Sequence, residues 1–491
     1  VFSWHLSRNP AVAPKKSAVV YGTGELGDLV ARQYKRGKLE YRIIGFVDDN
    51  PAFRNTMLQN IPVLGTSEDI SSVLKKTGAH YLIIAINALS AEKMQSAIGS
   101  ARSAGAEVLI IPSMFEVRNG KDLESGEICL RDVNLEDLLG RRLIEIDKAP
   151  IEAMVKGKTV LVTGAGGSIG SEICRQLLSF GPKQLLLLDI DETELHDLSL
   201  RLHDYRCEFS RDIFPICCDI KNKAKIEKVF ESFKPQIVFH AAAYKHVPMM
   251  EYYPEEAIRT NILGSYNVLS SASENGAEKV IVISTDKAVN PTNVMGATKR
   301  FVELEASLLN NVNTEIVCVR FGNVLGSRGS MLPLFLEQIR AGRPITVTHK
   351  DIIRYFMAIP EAVSLVFLAG AMAKGGEVMV LDMGEPVKIY DFAQKLVKLF
   401  GDGRSKVVVT RLRPGEKLYE ELLANRDSTI PTGNKKVFKA RVSGSLDKDW
   451  LEEKLKTIET DSSDELVSNL KIAIPEFRWQ GHAPLSDLFN E

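Results

Sequence analysis

The sequence predicts an α/β protein: two Rossmann-like doubly wound domains in series, the second with a C-terminal substrate-binding cap. Three observations predict this. Short apolar runs alternate with amphipathic stretches along most of the chain, the pattern of parallel strands joined by crossover helices. Two of those runs pass directly into glycine-rich turns, Gly22-Thr23-Gly24-Glu25-Leu26-Gly27 and Gly164-Ala165-Gly166-Gly167-Ser168-Ile169-Gly170. The 491 residues are too many for one such unit, at the usual ~100–200 residues per domain.

Taken in order, the first domain is expected over 15–125, with strands at 18–21, 41–47, 81–86 and 107–111. A charged linker follows over 126–157. The second domain, 158–440, begins with strands at 159–163, 184–189, 214–218, 237–240, 279–284 and 315–320. Beyond these the alternation turns irregular, with short strands at 345–347 and 377–381 between helices. Late insertions of this kind form caps over the carboxyl ends of the strands, where ligands of such sheets bind. The tail, 441–491, reads as polar helices without assignable chemistry.

Composition excludes several function classes. Apolar residues at 45% and charged residues at 25% describe a folded globular protein, not a disordered chain or a rod. Sixty-two basic against 63 acidic side chains leave a net charge of −1, so there is no electrostatic footprint for nucleic acid or anionic lipid. The six cysteines include no C-x-x-C pair and read as free core thiols in a reducing compartment. The longest apolar helical run, 362–373, is shorter than the roughly 18–20 residues of a membrane span. The eight histidines offer no ligand spacing, so no metal is expected. His240 and His246 read as structural.

The glycines of such loops have separate tasks: a tight turn, backbone approach to a pyrophosphate, and close packing of helix on strand. The second loop has more than glycines. About twenty residues beyond Gly170 the next strand ends in Asp189, placed for a ribose 2′-hydroxyl, and a carboxylate there repels a 2′-phosphate, favouring NAD over NADP. The first loop has Asp48 or Asp49 in the equivalent register, but no catalytic constellation near it. Nucleotide binding and a purely structural loop stay open for that domain.

The most informative segment is Ser284-Thr285-Asp286-Lys287-Ala288-Val289-Asn290-Pro291, followed by Met295-Gly296-Ala297-Thr298-Lys299. Further motifs are the glycine loop 163–172, Asp219-Ile220, and the run 240–248 containing Ala241, Ala242 and Lys245. Beyond these come Arg320 to Gly329, containing Asn323 and Arg328, and Arg413-Pro414-Gly415-Glu416-Lys417-Leu418. In this order they resemble the extended short-chain dehydrogenase/reductases. Within that superfamily the chain is similar to the bacterial membrane-anchored UDP-N-acetylglucosamine 4,6-dehydratases of capsule, O-antigen and protein-glycan assembly. Most of the superfamily has Tyr-x-x-x-Lys, whereas Met295 stands at the tyrosine position here, as in subgroups of the large dehydratases. A thioether cannot act as a base.

The resemblance implies a reaction on one UDP-N-acetylglucosamine. A hydride leaves C4 for NAD, the resulting ketone acidifies C5–H, a base removes that proton as an acid protonates the departing C6 hydroxyl, and the hydride returns to C6. The product is a UDP-2-acetamido-2,6-dideoxy-hexos-4-ulose. Asp286 and Lys287 are the candidate acid–base pair. A desolvated lysine can be lowered toward neutrality to serve as the base, though adjacent groups titrate together and the reverse assignment stays open. Thr285 is expected to orient the C4 hydroxyl, and Lys299 to bind the nicotinamide ribose. Cofactor contacts are expected from Gly164, Gly167, Ser168, Ile169, Gly170, Asp189, Asp219, Ile220, Ala241, Ala242 and Lys299. Lys245, Asn323, Arg328, Arg413 and Glu416 are expected on the nucleotide-sugar. The resemblance also implies a homo-oligomer and, through transmembrane helices upstream, a place on the cytoplasmic face of the bacterial inner membrane. A UDP-sugar 4-epimerase and a non-catalytic NAD-binding scaffold are the alternatives. The epimerase lacks a use for the Asp286-Lys287 pair, and the scaffold a use for the full motif set.

Overall fold

A computed structural model describes residues 16–86, 89–111, 130–133, 146–206, 212–401, 405–421, 429–479 and 481. Two compact units divide the chain, 1–143 and 144–491. Cys129, Cys207, half of the expected linker and the end of the tail lie outside the described residues.

The first unit is built on strands β1 (Ser17–Tyr21), β2 (Arg42–Val47), β3 (Met57–Leu58), β4 (Ile61–Gly65), β5 (Tyr81–Ile84), β6 (Glu107–Ile110) and β7 (Arg131–Asp132), in the order β3-β4-β2-β1-β5-β6-β7. The central pairings are parallel, and β3 and β7 close the edges antiparallel. Arg131–Asp132, expected in the linker, is therefore an edge strand. β1 and β5 bury almost every side chain, which is why these strands read as continuous apolar runs. The glycine loop after β1 is held by Asp48: its Oδ2 accepts from the Thr23 amide (2.7 Å) and hydroxyl (2.7 Å), and its Oδ1 from the Asn50 amide.

The second unit starts with helix Ala149–Val155, whose Ile151, Met154 and Val155 belong to the main core. The rest of the expected linker thus ends as a packed element. The sheet is then laid down by β8 (Thr159–Thr163), β9 (Gln184–Asp189), β10 (Ile213–Cys217), β11 (Ile237–His240), β12 (Lys279–Thr285) and β13 (Glu315–Phe321), all parallel. Short strands β14 (Asn323–Val324), β15 (Ile345–Val347), β16 (Ile353–Arg354) and β17 (Phe356–Met357) follow. The chain returns to the main sheet with β18 (Val378–Leu381), leaves through β19 (Val387–Lys388) and β20 (Val407–Val409), and finishes it with β21 (Thr429–Pro431) and β22 (Val437–Ala440). The main order is β10-β9-β8-β11-β12-β13-β18-β22-β21.

The strand expected at 377–381 between cap helices is thus a correction: β18 pairs parallel with β13 inside the central sheet, because its four residues are all buried and an isolated cap strand could not bury them. Successive residues of β8 feed opposite cores, Val160 and Val162 on one face and Leu161 on the other. The most apolar helix among the described residues, Ile359–Met372, packs against the first of these faces. No helix among the described residues is long and apolar enough to cross a membrane.

The tail is not separate from this unit. Leu451, Leu466, Leu470 and Phe477 join Met295, Phe301 and Leu304 in one apolar cluster, so the tail packs on the helix Val294–Leu309. Trp479 Nε1 donates to Glu251 Oε2 (2.8 Å), and Glu251 Oε1 accepts from the Val294 amide at that helix's first turn (2.7 Å).

Candidate active site

Strand order reverses between β8 and β11, and the crevice at their carboxyl ends is where such sheets bind ligands. A groove opens there, lined by Gly164, Gly166, Gly167, Asp189, Asp191, Glu194, Asp219, Ile220, Lys221, Ala241, Ala242, Thr260 and Arg328. The glycines are sterically required. A Cβ at Gly164 would lie 2.6 Å from the Ala242 amide, and one at Gly170 would lie 2.0 Å from the Gly164 carbonyl. Ser168 and Ile169 begin the helix whose N-terminus faces the groove, an arrangement that suits a pyrophosphate.

Asp189 holds this loop as Asp48 holds the first. Its Oδ2 accepts from the Gly166 amide (2.7 Å) and its Oδ1 from the Asp191 amide (3.0 Å). A carboxylate has about four lone-pair sites, so two stay available for ribose hydroxyls. Asp219 is oriented by the Lys221 amide (2.9 Å), and Ile220 packs against Gly264, with 2.6 Å to a Cβ built there. The Thr260 hydroxyl on the groove wall is buried without a partner. A dinucleotide fits these features: the glycine cradle, the half-used carboxylate and the unpaired hydroxyl are what it would complete.

Lys299 sits on the helix Val294–Leu309 and is only 8% exposed. No described residue hydrogen-bonds or ion-pairs with its ammonium. Burial pushes it down to about 8, outweighing nearby Glu303. It is a buried donor awaiting an acceptor. Behind it His240 is fully buried between the Thr163 and Ser265 hydroxyls (2.7 and 2.8 Å), and burial lowers it to about 3. That is the structural role expected of it.

The acid–base candidates lie at the end of β12. Thr285 Oγ1 donates to Asp286 Oδ1 (2.8 Å), and Lys287 Nζ donates to the same oxygen (3.0 Å) and to Asn323 Oδ1 (3.3 Å). Thr285, Asp286, Lys287 and Asn323 are thus brought together. Two residues missed in the sequence complete the group. Glu420 Oε1 lies 3.3 Å from Lys287 Nζ, and Arg354 Nε lies 3.5 Å from the same Glu420 oxygen. Arg354 in turn reaches Glu416 Oε1 (3.5 Å). Glu420 stands one helical turn's spacing beyond Glu416, just past the Arg413-to-Leu418 motif, which was the available signal. Arg354 offered none.

The electrostatics correct one expectation. Burial alone would lower Lys287, but the carboxylates of Asp286 and Glu420 outweigh it and hold the lysine above its ordinary value. Without substrate it is an ammonium. Its three partners, Asp286, Asn323 and Glu420, each keep a buried polar atom without a partner: Oδ2, Nδ2 and Oε2. Native interiors rarely leave such atoms unmatched. Three such atoms surround one lysine, and each can take a further hydrogen bond.

The expected substrate residues divide. Asn323 belongs to the cluster around Lys287. Lys245 Nζ donates to the Arg328 carbonyl (2.9 Å), and Arg328 lies over the glycine loop. Arg413 and Glu416 pair locally, the Arg413 amide donating to Glu416 Oε2 (3.2 Å). Met295 is buried in the apolar cluster with Met250, Ile258 and Phe301, a packing residue as its chemistry requires.

Known proteins resemble this chain over most of its length. The family described as "Polysaccharide biosynthesis protein" matches residues 160–442, and a "CoA-binding domain" matches 8–112. The "Capsular polysaccharide biosynthesis protein CapD" of Staphylococcus aureus is 45% identical over 438 residues, covering 87% of this chain and 72% of that protein. The "Probable polysaccharide biosynthesis protein EpsC" of Bacillus subtilis (strain 168) is 43% identical over 440 residues, with 88% and 72% covered. The "UDP-glucose 4-epimerase" of Rickettsia canadensis is 35% identical over 282 residues, 56% of this chain and 80% of that one. Among solved structures, Pen from Bacillus thuringiensis aligns with a TM-score of 0.53 at 32% identity, covering 60% of this chain and 90% of that one. On the match across its second unit and these relatives, the chain belongs to the polysaccharide biosynthesis protein family.

Proposed function

We propose that the protein is an NAD-dependent UDP-N-acetylglucosamine 4,6-dehydratase. The observation that carries this reading is the Asp286–Lys287 pair at the end of β12, ringed by unpartnered polar atoms. Elimination of water needs an acid and a base side by side, and an oxidation or epimerisation alone does not. NAD, when bound in the groove, supplies the acceptor and later the donor of the hydride.

Asp286 and Lys287 share one proton across a 3.0 Å hydrogen bond. In the substrate-free protein it rests on Lys287. With the proton moved to Asp286, the neutral lysine removes C5–H while the carboxylic acid protonates the C6 hydroxyl, which leaves as water. The elimination leaves Lys287 as an ammonium and Asp286 as a carboxylate. Lys287 then returns a proton to C5 as the hydride adds to C6. The proton released from the C4 hydroxyl on its oxidation, passed through Thr285 and solvent, restores the ammonium. Thr285, bonded to Asp286, orients the C4 hydroxyl, and Lys299 holds the nicotinamide ribose.

A second reading, a UDP-sugar 4-epimerase, is favoured by the Rickettsia relative's name. Both are tested by incubating the protein with UDP-N-acetylglucosamine and NAD and taking the NMR spectrum of the product. A 4-keto-6-methyl sugar supports the dehydratase. A galacto epimer supports the alternative, and unchanged substrate rejects both.

A further inference from the structure

Arg328 lies apart from the cluster around Lys287. Its guanidinium donates to the Gly166 carbonyl (2.5 Å) and pairs with Glu194, and its amide donates to the Ser168 hydroxyl (3.1 Å). Its own carbonyl is held by Lys245 Nζ (2.9 Å). The segment carrying it is bracketed by Gly326 and Gly329, both in the left-handed region, and a Cβ at Gly329 would stand 2.6 Å from the His246 ring. Four anchors thus fasten a short strap across the mouth of the glycine-loop groove.

The charges around that mouth give the strap a task. Asp189, Asp191 and Glu194 line this part of the groove, and the other lining cation, Lys221, stands by Asp219 and Glu256. A dinucleotide brings two further negative charges on its pyrophosphate. Loop amides and a helix N-terminus offset only part of that. Among the described residues lining the groove Arg328 is the cation on the glycine loop. Glu194 and the Gly166 carbonyl use only part of its five-donor fork, and a guanidinium suits a phosphate oxygen pair.

We propose that Arg328 is a cofactor-retention residue: it clamps the dinucleotide diphosphate through the strap 326–329, in place of the substrate-phosphate role that its motif suggests. The importance of retention rests on the dehydratase reading, because an enzyme that returns its hydride to the same sugar strands the ketone if the reduced cofactor escapes. The binding claim itself does not depend on which sugar reacts.

The test uses the full chain loaded with NADH and no sugar. Release is followed by adding pyruvate and lactate dehydrogenase, which oxidise only NADH that has left the protein. Arg328→Ala is expected to speed release about tenfold or more, as loss of a charged hydrogen-bond partner acts mainly on dissociation. Arg328→Lys, which keeps the charge and loses the fork, is expected to fall between. Binding of UDP to the NADH-loaded protein, measured by calorimetry, should change by less than about twofold. Unchanged NADH release in both variants overturns the proposal. So does weakened UDP binding with normal release, which would return Arg328 to the substrate. Faster NADH release in a protein that dehydrates no sugar would support the clamp and reject the dehydratase reading.

Discussion

Lys287 and Glu420 meet at 3.3 Å although they are far apart in the chain. Their contact places a second carboxylate beside the lysine that Asp286 already holds. The lysine is therefore protonated at rest, and in the proposed mechanism the pair exchanges its proton before it acts. Asp286→Asn and Lys287→Ala should each lower dehydration by about 10²-fold or more, the usual contribution of a positioned acid or base. Dinucleotide binding should persist, since neither residue lines the groove. Turnover assays with parallel NADH titrations check both. Glu420→Gln should lower the Lys287 pKa, and any limb of the pH–rate profile that reports this lysine should move to lower pH.

Thr285 and Met295 make opposite predictions. Met295 is enclosed by apolar side chains, so Met295→Leu roughly conserves volume and should cost less than about 1.5 kcal/mol in stability, with little change in rate. Thr285→Val keeps the shape but removes the hydroxyl bonded to Asp286. It should slow hydride transfer markedly in single-turnover measurements of NADH formation. A severe loss for the leucine variant with none for the valine variant would reverse the assignment.

Lys299 makes a prediction about stability. Its folded value of about 8 lies below its ordinary 10.5, so between those values the unfolded chain binds more protons and stability rises with pH. Below about pH 8 the buried ammonium costs its full amount. Lys299→Met should therefore raise the melting temperature of the cofactor-free protein at neutral pH. The gain should shrink as pH climbs toward 10.5, and the variant should bind the dinucleotide poorly. Melting curves across that range decide it.

Much of this was legible in the sequence because it is local. The runs at Val160–Val162 and Val280–Ile283 are apolar on both faces, which only a sheet covered on both sides accommodates. The glycine loop and Asp189 sit at a spacing fixed by one strand–helix–strand unit. What was not legible depends on distant pairings. β18 reads as a cap strand until its pairing with β13 is known. Arg354 reaches Glu420 because 353 bridges to Tyr419, a pairing that no periodicity announces. Trp479 supports Val294 through Glu251, which a polar tail sequence does not suggest. Arg328 carries a motif read as substrate-binding, and only the folded strap shows it over Gly166.

The elimination proposed for Asp286 and Lys287 lies inside an internal redox cycle. It is tested most directly by turning over UDP-N-acetylglucosamine deuterated at C4, and the unlabelled sugar in heavy water, with NMR and mass spectrometry of the products. Deuterium from C4 is expected at C6 of the same molecule and solvent deuterium at C5, with no accumulation of NADH. Deuterium retained at C4 of an epimerised sugar, or NADH formed in proportion to product, would contradict it.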